Sequence, residues 1–245
     1  MQEWLQEPTG NDIFLIPVRR LQRILTDMER AHHGIHVEAL NNRITILPHV
    51  YVPSDQSVPA MFAERGELFA GRRVLDMGTG TGILALIAAH LGATQVVATD
   101  FNPNAVRNAR LNADLLGLQD RIVVKGPGDL FAPIQEEKFD LILFNARWIK
   151  GEPQSLYDTS LYDPDCRVLD GFLKAAPRHL ASGGVILLQY SDISQRQGED
   201  STTHLESVLE DSGLVARQTH SMKRVSRFLG TAARVFLYEI RRREV

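Results

Sequence analysis

The chain has 245 residues, of which 44% are hydrophobic and 23% charged, and its net charge is −3. This suits a globular protein made of one large domain, or of one domain with a small appendage, and gives no general attraction to nucleic acid. The single cysteine, Cys166, excludes an internal disulfide framework and points to a reducing compartment. No apolar run approaches the roughly 20 residues needed to span a membrane, and Met1-Gln2-Glu3-Trp4 lacks the basic and apolar regions of a signal peptide. A cytoplasmic enzyme without a membrane partner is the expectation.

In chain order, Arg19 to Arg30 reads as a helix with Leu21, Ile24, Leu25 and Met28 on one face. Ile35 to Leu40 and Arg43 to Leu47 read as a hairpin turning at Asn41-Asn42, because asparagine tolerates the positive φ of a two-residue turn. His32, His33 and His36 lie close together, but no cysteine or carboxylate motif completes a metal site, and no metal is expected. Residues 1–70 therefore form an N-terminal extension of helix and hairpin, and 71–245 the main domain.

From Arg72 onward strands alternate with helices, which predicts a doubly wound parallel α/β sheet. The strands fall near 73–77, 95–100, 121–126, 139–145 and 184–191. Pro103 at the first turn of a helix running to about Leu116, with Asn102 as its cap, marks one helix start. Val215 to Met222 and Arg234 to Ile240 read as a closing pair. Lys223-Arg224 with Arg227, and Arg241-Arg242-Arg243, read as solvated strand ends rather than RNA contacts.

Asp76-Met77-Gly78-Thr79-Gly80-Thr81-Gly82 sits between the first strand and the first helix of this domain. Glycines one residue apart let backbone approach a ligand where side chains would block it. The dinucleotide fingerprint G-x-G-x-x-G is not met, since Ile83 stands where its third glycine belongs, and no Gly-Lys-Ser/Thr follows for a phosphate loop. Asp76 would repel a pyrophosphate, but suits a ligand with a cationic amino group. Asp100 ends the second strand about twenty residues on, where an acid can accept from two ribose hydroxyls.

The D-x-G-x-G-x-G loop resembles that of class I S-adenosylmethionine-dependent methyltransferases. The resemblance implies a Rossmann-like seven-stranded sheet, mostly parallel with an antiparallel last strand. It implies S-adenosyl-L-methionine as cofactor, bound by Asp76, Gly78, Thr79, Gly80, Gly82, Asp100, Phe101, Asn102, Gly128, Asp129, Leu130 and Asn145, with Asp129 meeting the adenine amino group. Phe139-Asp140-Leu141-Ile142-Leu143-Phe144-Asn145-Ala146-Arg147-Trp148 resembles the F-D-x-I-x-x-N-P-P-Y segment of methyltransferases acting on planar nitrogen, including the release-factor glutamine methyltransferases. Val50 to Ser57, Gly128 to Phe131 and Leu169 to Leu173 are similar to other segments of that family. In the family the asparagine accepts from the target amide, a proline carbonyl takes its second hydrogen, and the aromatic ring stacks on the planar group.

Here Asn145 is retained and Trp148 keeps an aromatic ring, but Ala146 and Arg147 replace both prolines. Arg147 is then a candidate for binding a substrate carboxylate or phosphate, against the plainer reading of a solvated arginine. The stretch Lys150 to Asp165 leaves the catalytic strand and reads as a substrate lid with Tyr157, Tyr162 and Asp163 as contacts. The expected activity is methyl transfer to a nitrogen of a small amino-acid-like molecule or protein side chain. A nucleobase amine on RNA or DNA, and a non-catalytic cofactor-binding homologue, are the alternatives.

Overall fold

The computed structural model describes residues 35–39, 42–51, 57–147, 149–192, 201–226 and 231–243. A two-stranded hairpin comes first, β1 (Ile35–Ala39) with β2 (Asn42–Ile46), followed by α1 (Ser57–Ala63). The main unit then runs β3 (Arg73–Met77), α2 (Ile83–His90), β4 (Gln95–Thr99), α3 (Pro103–Leu115) and β5 (Ile122–Lys125). It continues through β6 (Phe139–Asn145), α4 (Arg167–His179), β7 (Leu180–Ser191), α5 (Ser201–Asp211), β8 (Leu214–Ser226) and β9 (Thr231–Arg242).

The sheet order is β5-β4-β3-β6-β7-β9-β8. The five strands from β5 to β7 are parallel, and β9 runs antiparallel to both β7 and β8. The order reverses beside β3, so a crevice opens outside the carboxyl ends of β3, β4 and β6. This is the doubly wound, mostly parallel sheet with an antiparallel last strand that the sequence predicts.

The central strands are continuous apolar runs because both their faces are covered. Val74, Val96, Leu141 and Val185 face one layer, with α2, while Leu75, Val97, Ile142 and Ile186 face the other, with α4 and α5. Leu84 through Ala89 of α2 are all buried, since α1 and Ile44 of β2 cover the side of α2 turned from the sheet. A helix apolar all round needs such cover. Met61, Phe62 and Phe69 are fully buried in the same layer, so the described part of the N-terminal extension belongs to the main core.

Two polar side chains seat the hairpin. Asn108 and Asn112 lie one turn apart on α3 and are fully buried. Asn112 Oδ1 accepts from Thr45 N at 2.8 Å, and its Nδ2 donates to both Thr45 O and Thr81 O at 2.8 Å. Asn108 Oδ1 accepts from Leu47 N at 2.7 Å, and its Nδ2 donates to Thr45 O at 2.7 Å. Helix side chains thus satisfy backbone groups of β2 that lack a further strand.

Several sequence expectations shift. Ala39 pairs with Asn42, so the hairpin connection is 40–41, one residue before the expected Asn41-Asn42 turn. The expected helix Arg19–Arg30, His32 and His33 lie outside the described residues, as does the side chain of His36. No three His, Cys, Asp or Glu side chains group to hold a metal among the described residues. The terminal arginines are exposed at the end of β9, as expected, and are also paired: Arg241 with Glu239, Arg243 with Glu210, and Arg242 donating to Leu180 O. Among the described residues no helix is long and apolar enough to cross a membrane.

Candidate active site

The glycine loop takes its shape from left-handed backbone. Gly78, Gly80 and Gly82 have φ of 68°, 55° and 87°, which L side chains rarely adopt. Their surroundings divide the three. A Cβ on Gly80 would meet nothing within 4 Å, whereas one on Gly82 would lie 3.1 Å from Ala109 Cα of α3. Gly80 opens the loop to a ligand, and Gly82 lets α2 start against α3.

Asp100, at the carboxyl end of β4, reaches across to this loop. Its Oδ2 accepts from Gly80 N at 2.9 Å and its Oδ1 from Asn102 N at 2.8 Å. Burial raises its pKa, opposed by the Asn102 and Gly80 amides and by Arg147. Each oxygen keeps acceptor capacity beyond these bonds, as a ribose diol requires. Asn102 caps α3 by accepting from Asn104 N at 2.8 Å and donates to His49 O at 2.7 Å, bringing Val50 and Tyr51 to the wall.

An open cleft lies over the glycine loop, its walls drawn from the segments that follow β3, β4, β5 and β6. Gly78, Thr79, Gly80, Asp100, Phe101, Asn102, Gly128, Asp129, Leu130, Asn145 and Arg147 all line it. Phe101 is 48% exposed, so its ring is available to a flat ligand. Gly128 is required by packing, because a Cβ there would fall 2.7 Å from Pro133 Cγ.

Asp76 and Gly82 are set back from the wall. Asp76 is buried beneath the loop, where its Oδ2 accepts from Thr79 Oγ1 at 2.6 Å and from Ala85 N at 3.0 Å. Burial pushes its carboxyl up to about 7, opposed by those two bonds and aided by the charge of Asp100. Through Oδ2, Asp76 braces the loop from below, while its buried Oδ1 has no hydrogen-bond partner among the described residues.

The substrate end differs more from expectation. Asn145 ends β6, and its buried Oδ1 has no hydrogen-bond partner among the described residues. A buried acceptor without a donor is costly unless a ligand supplies one. Ala146 N donates to Gln189 O of β7 at 3.3 Å, a bond a proline could not make. Backbone rigidity lost with the proline is recovered from the sheet. Trp148 lies outside the described residues.

The stretch from Lys150 to Asp165 carries short 3-10 turns at Asp158–Ser160 and Pro164–Cys166, and Ile149 pairs with Tyr162. Tyr157 is buried with Ile149 and Leu161, against Tyr51 and Tyr162. Both tyrosines expected to contact substrate instead pack this loop, because their rings complete its small apolar cluster. Thr159, Ser160 and Leu161 face the cleft in their place. Asp163 accepts from Val168 N at 2.9 Å and Leu169 N at 3.0 Å, capping the start of α4.

Arg147 turns into the cleft. Burial lowers its pKa, while Asp163, Asp100 and Asp129 oppose that shift. Sequence reasoning missed Tyr51, Asn108 and Asn112, whose neighbours come from distant parts of the chain.

A sequence model of the ribosomal protein L11 methyltransferase (PrmA) family matches residues 63–149, from the last residue of α1 to just beyond β6. Over 166 residues the chain is 30% identical to a Methanocaldococcus jannaschii protein named a candidate N5-glutamine methyltransferase, covering 65% of this chain and 80% of that protein. The chain belongs to the protein N5-glutamine methyltransferase family. It is 33% identical to a release factor glutamine methyltransferase of Xylella fastidiosa over 159 residues, 60% of this chain and 54% of that one. It thus spans about half the length of that relative. Among solved structures, the ribosomal protein L11 methylase of Lactobacillus delbrueckii subsp. bulgaricus superposes with a TM-score of 0.53 at 23% identity. That likeness covers 82% of this chain and 94% of the other, and shows a shared fold.

As a member of this family the chain is an S-adenosylmethionine-dependent methyltransferase. The residues of the cleft fit that cofactor on their own chemistry, with open space at Gly80, a carboxylate at Asp100 that keeps acceptor capacity, and a buried acceptor at Asn145 without a partner among the described residues.

Proposed function

We propose that the chain methylates the side-chain amide nitrogen of glutamine in a protein. The observation that carries this is the buried Oδ1 of Asn145 on the cleft wall, without a partner among the described residues. An amide nitrogen is a poor nucleophile because its lone pair is delocalised into the carbonyl. Asn145 Oδ1 accepts one amide N–H, turning the nitrogen towards the methyl donor and stabilising the charge that develops on it. Asp100 and the Gly78–Gly80 backbone hold the nucleoside end, and the wall from Tyr51 to Leu161 excludes water. The bound cofactor supplies a methyl group on a sulfonium, whose departure as a neutral thioether needs no metal.

The names of the relatives support a protein acceptor. The charge around the cleft supports it too: Asp100, Asp129 and Asp163 surround Arg147, which disfavours a phosphate backbone.

Incubating protein and RNA fractions with methyl-labelled cofactor tests this. Glutamine methylation places label in protein that strong acid releases as methylamine. Label confined to RNA, or retained on lysine after hydrolysis, would sink the reading. Asn145→Ala should cut turnover by about 100-fold or more while S-adenosylhomocysteine still binds.

A further inference from the structure

Two half-buried arginines among the described residues, Arg72 and Arg147, have no hydrogen-bond partner for the guanidinium, and of these only Arg147 lines the cleft. No acceptor lies within hydrogen-bond reach of its guanidinium among the described residues, although it stands on the cleft wall. Arg65, Arg73, Arg121 and Arg241 each donate to a carboxylate or carbonyl. Arg107, Arg178 and Arg234 are exposed to solvent. Arg147 is half-buried, two residues beyond Asn145, and lines the cleft.

The nearby carboxylates do not answer it directly. Asp163 already accepts the Val168 and Leu169 amides, and Asp100 the Gly80 and Asn102 amides. Asp129 is exposed at the mouth. These acids stabilise the charge on the guanidinium from a distance and leave its planar fork of donors unused. A fork of that shape matches a carboxylate through two parallel bonds. A phosphate, with more charge, would be repelled by the same three acids.

We propose that Arg147 is a carboxylate-binding residue of this cleft, a role that rests on the methyltransferase reading. The carboxylate comes either from the amino-acid end of the cofactor or from an acidic side chain of the protein acceptor next to the glutamine. Arg147 then stands where relatives with the N-P-P-Y segment carry a proline. The chain would place a charged contact within two residues of the group that orients the nitrogen.

Two binding measurements separate the sources. In the first, S-adenosylhomocysteine and 5′-methylthioadenosine, which lacks the amino-acid end, are titrated calorimetrically into wild type, Arg147→Ala and Arg147→Lys. A cofactor carboxylate predicts that Arg147→Ala loses about tenfold or more in affinity for the first ligand and nothing for the second, with Arg147→Lys between. In the second, the capped peptides acetyl-Gln-Glu-amide and acetyl-Gln-Gln-amide are added to wild type saturated with S-adenosylhomocysteine, and the Arg147 Nε–H resonance is followed. An acceptor carboxylate predicts a saturable shift with the glutamate-containing peptide alone. Wild type that binds S-adenosylhomocysteine, with both Arg147 readouts silent, overturns the inference and leaves the methyltransferase reading standing. Wild type that binds no S-adenosylhomocysteine overturns that reading and the inference with it.

Discussion

The Asp100 carboxylate holds the Gly80 amide at 2.9 Å, joining the carboxyl end of β4 to the loop that follows β3. The same oxygens that would receive a ribose therefore also set the loop against which the cofactor lies. Asp100→Ala removes both functions. S-adenosylhomocysteine affinity should fall by roughly 1–3 kcal/mol, the worth of hydrogen bonds to a charged group, as read by calorimetry. An unchanged affinity would place the nucleoside elsewhere.

The last two glycines of the loop should fail in different ways. Gly82→Ala forces a Cβ to 3.1 Å from the Ala109 backbone at φ 87°, so the start of α2 must move. A loss of about 1–3 kcal/mol in denaturant unfolding is expected. Gly80→Ala meets nothing within 4 Å at φ 55°, and should cost about 1 kcal/mol of stability. Its Cβ enters the cofactor's space, so binding should suffer more than folding.

Asn112 ties β2 to the cofactor loop by bonding Thr45 on one side and Thr81 on the other. Asn112→Ala leaves buried backbone groups unsatisfied, which costs about 1–3 kcal/mol in chemical denaturation. It should also weaken cofactor binding, although Asn112 is not on the cleft wall. If affinity is untouched while stability falls, the hairpin is a cover for the core and nothing more.

Asp76 gives the protein a pH signature of its own. Its folded pKa of about 7 lies above the ordinary carboxylate value, so the folded state binds this proton more tightly than the unfolded state. Its contribution to stability is therefore greatest below about pH 4 and is lost as pH rises through about 7. Asp76→Asn, which cannot ionise, should flatten this part of the profile. The gap between wild type and variant should change by a few kcal/mol between pH 4 and 8, measured by denaturant melts across that range. Parallel profiles would mean that Asp76 is ionised throughout.

What the sequence by itself determined was everything dictated by local backbone. Alternating apolar runs and caps set the strands from β3 onward and the start of α3. Glycines in the D-x-G-x-G-x-G loop announced left-handed turns, and Asp100 and Asn145 were legible because each ends a buried strand. Only the tertiary structure decided which groups meet across the chain. Asn108 and Asn112 look like the wet face of an amphipathic helix until β2 lies on them. Tyr157 and Tyr162 look like lid contacts until Ile149 and Leu161 close around them. Asp76 looks like a ligand-facing acid until Thr79 and Ala85 claim its oxygen. Dihedral preferences and apolar periodicity act over a few residues, so they are written locally; hydrogen-bond partners and burial depend on which distant surface arrives, and packing alone brings that surface in.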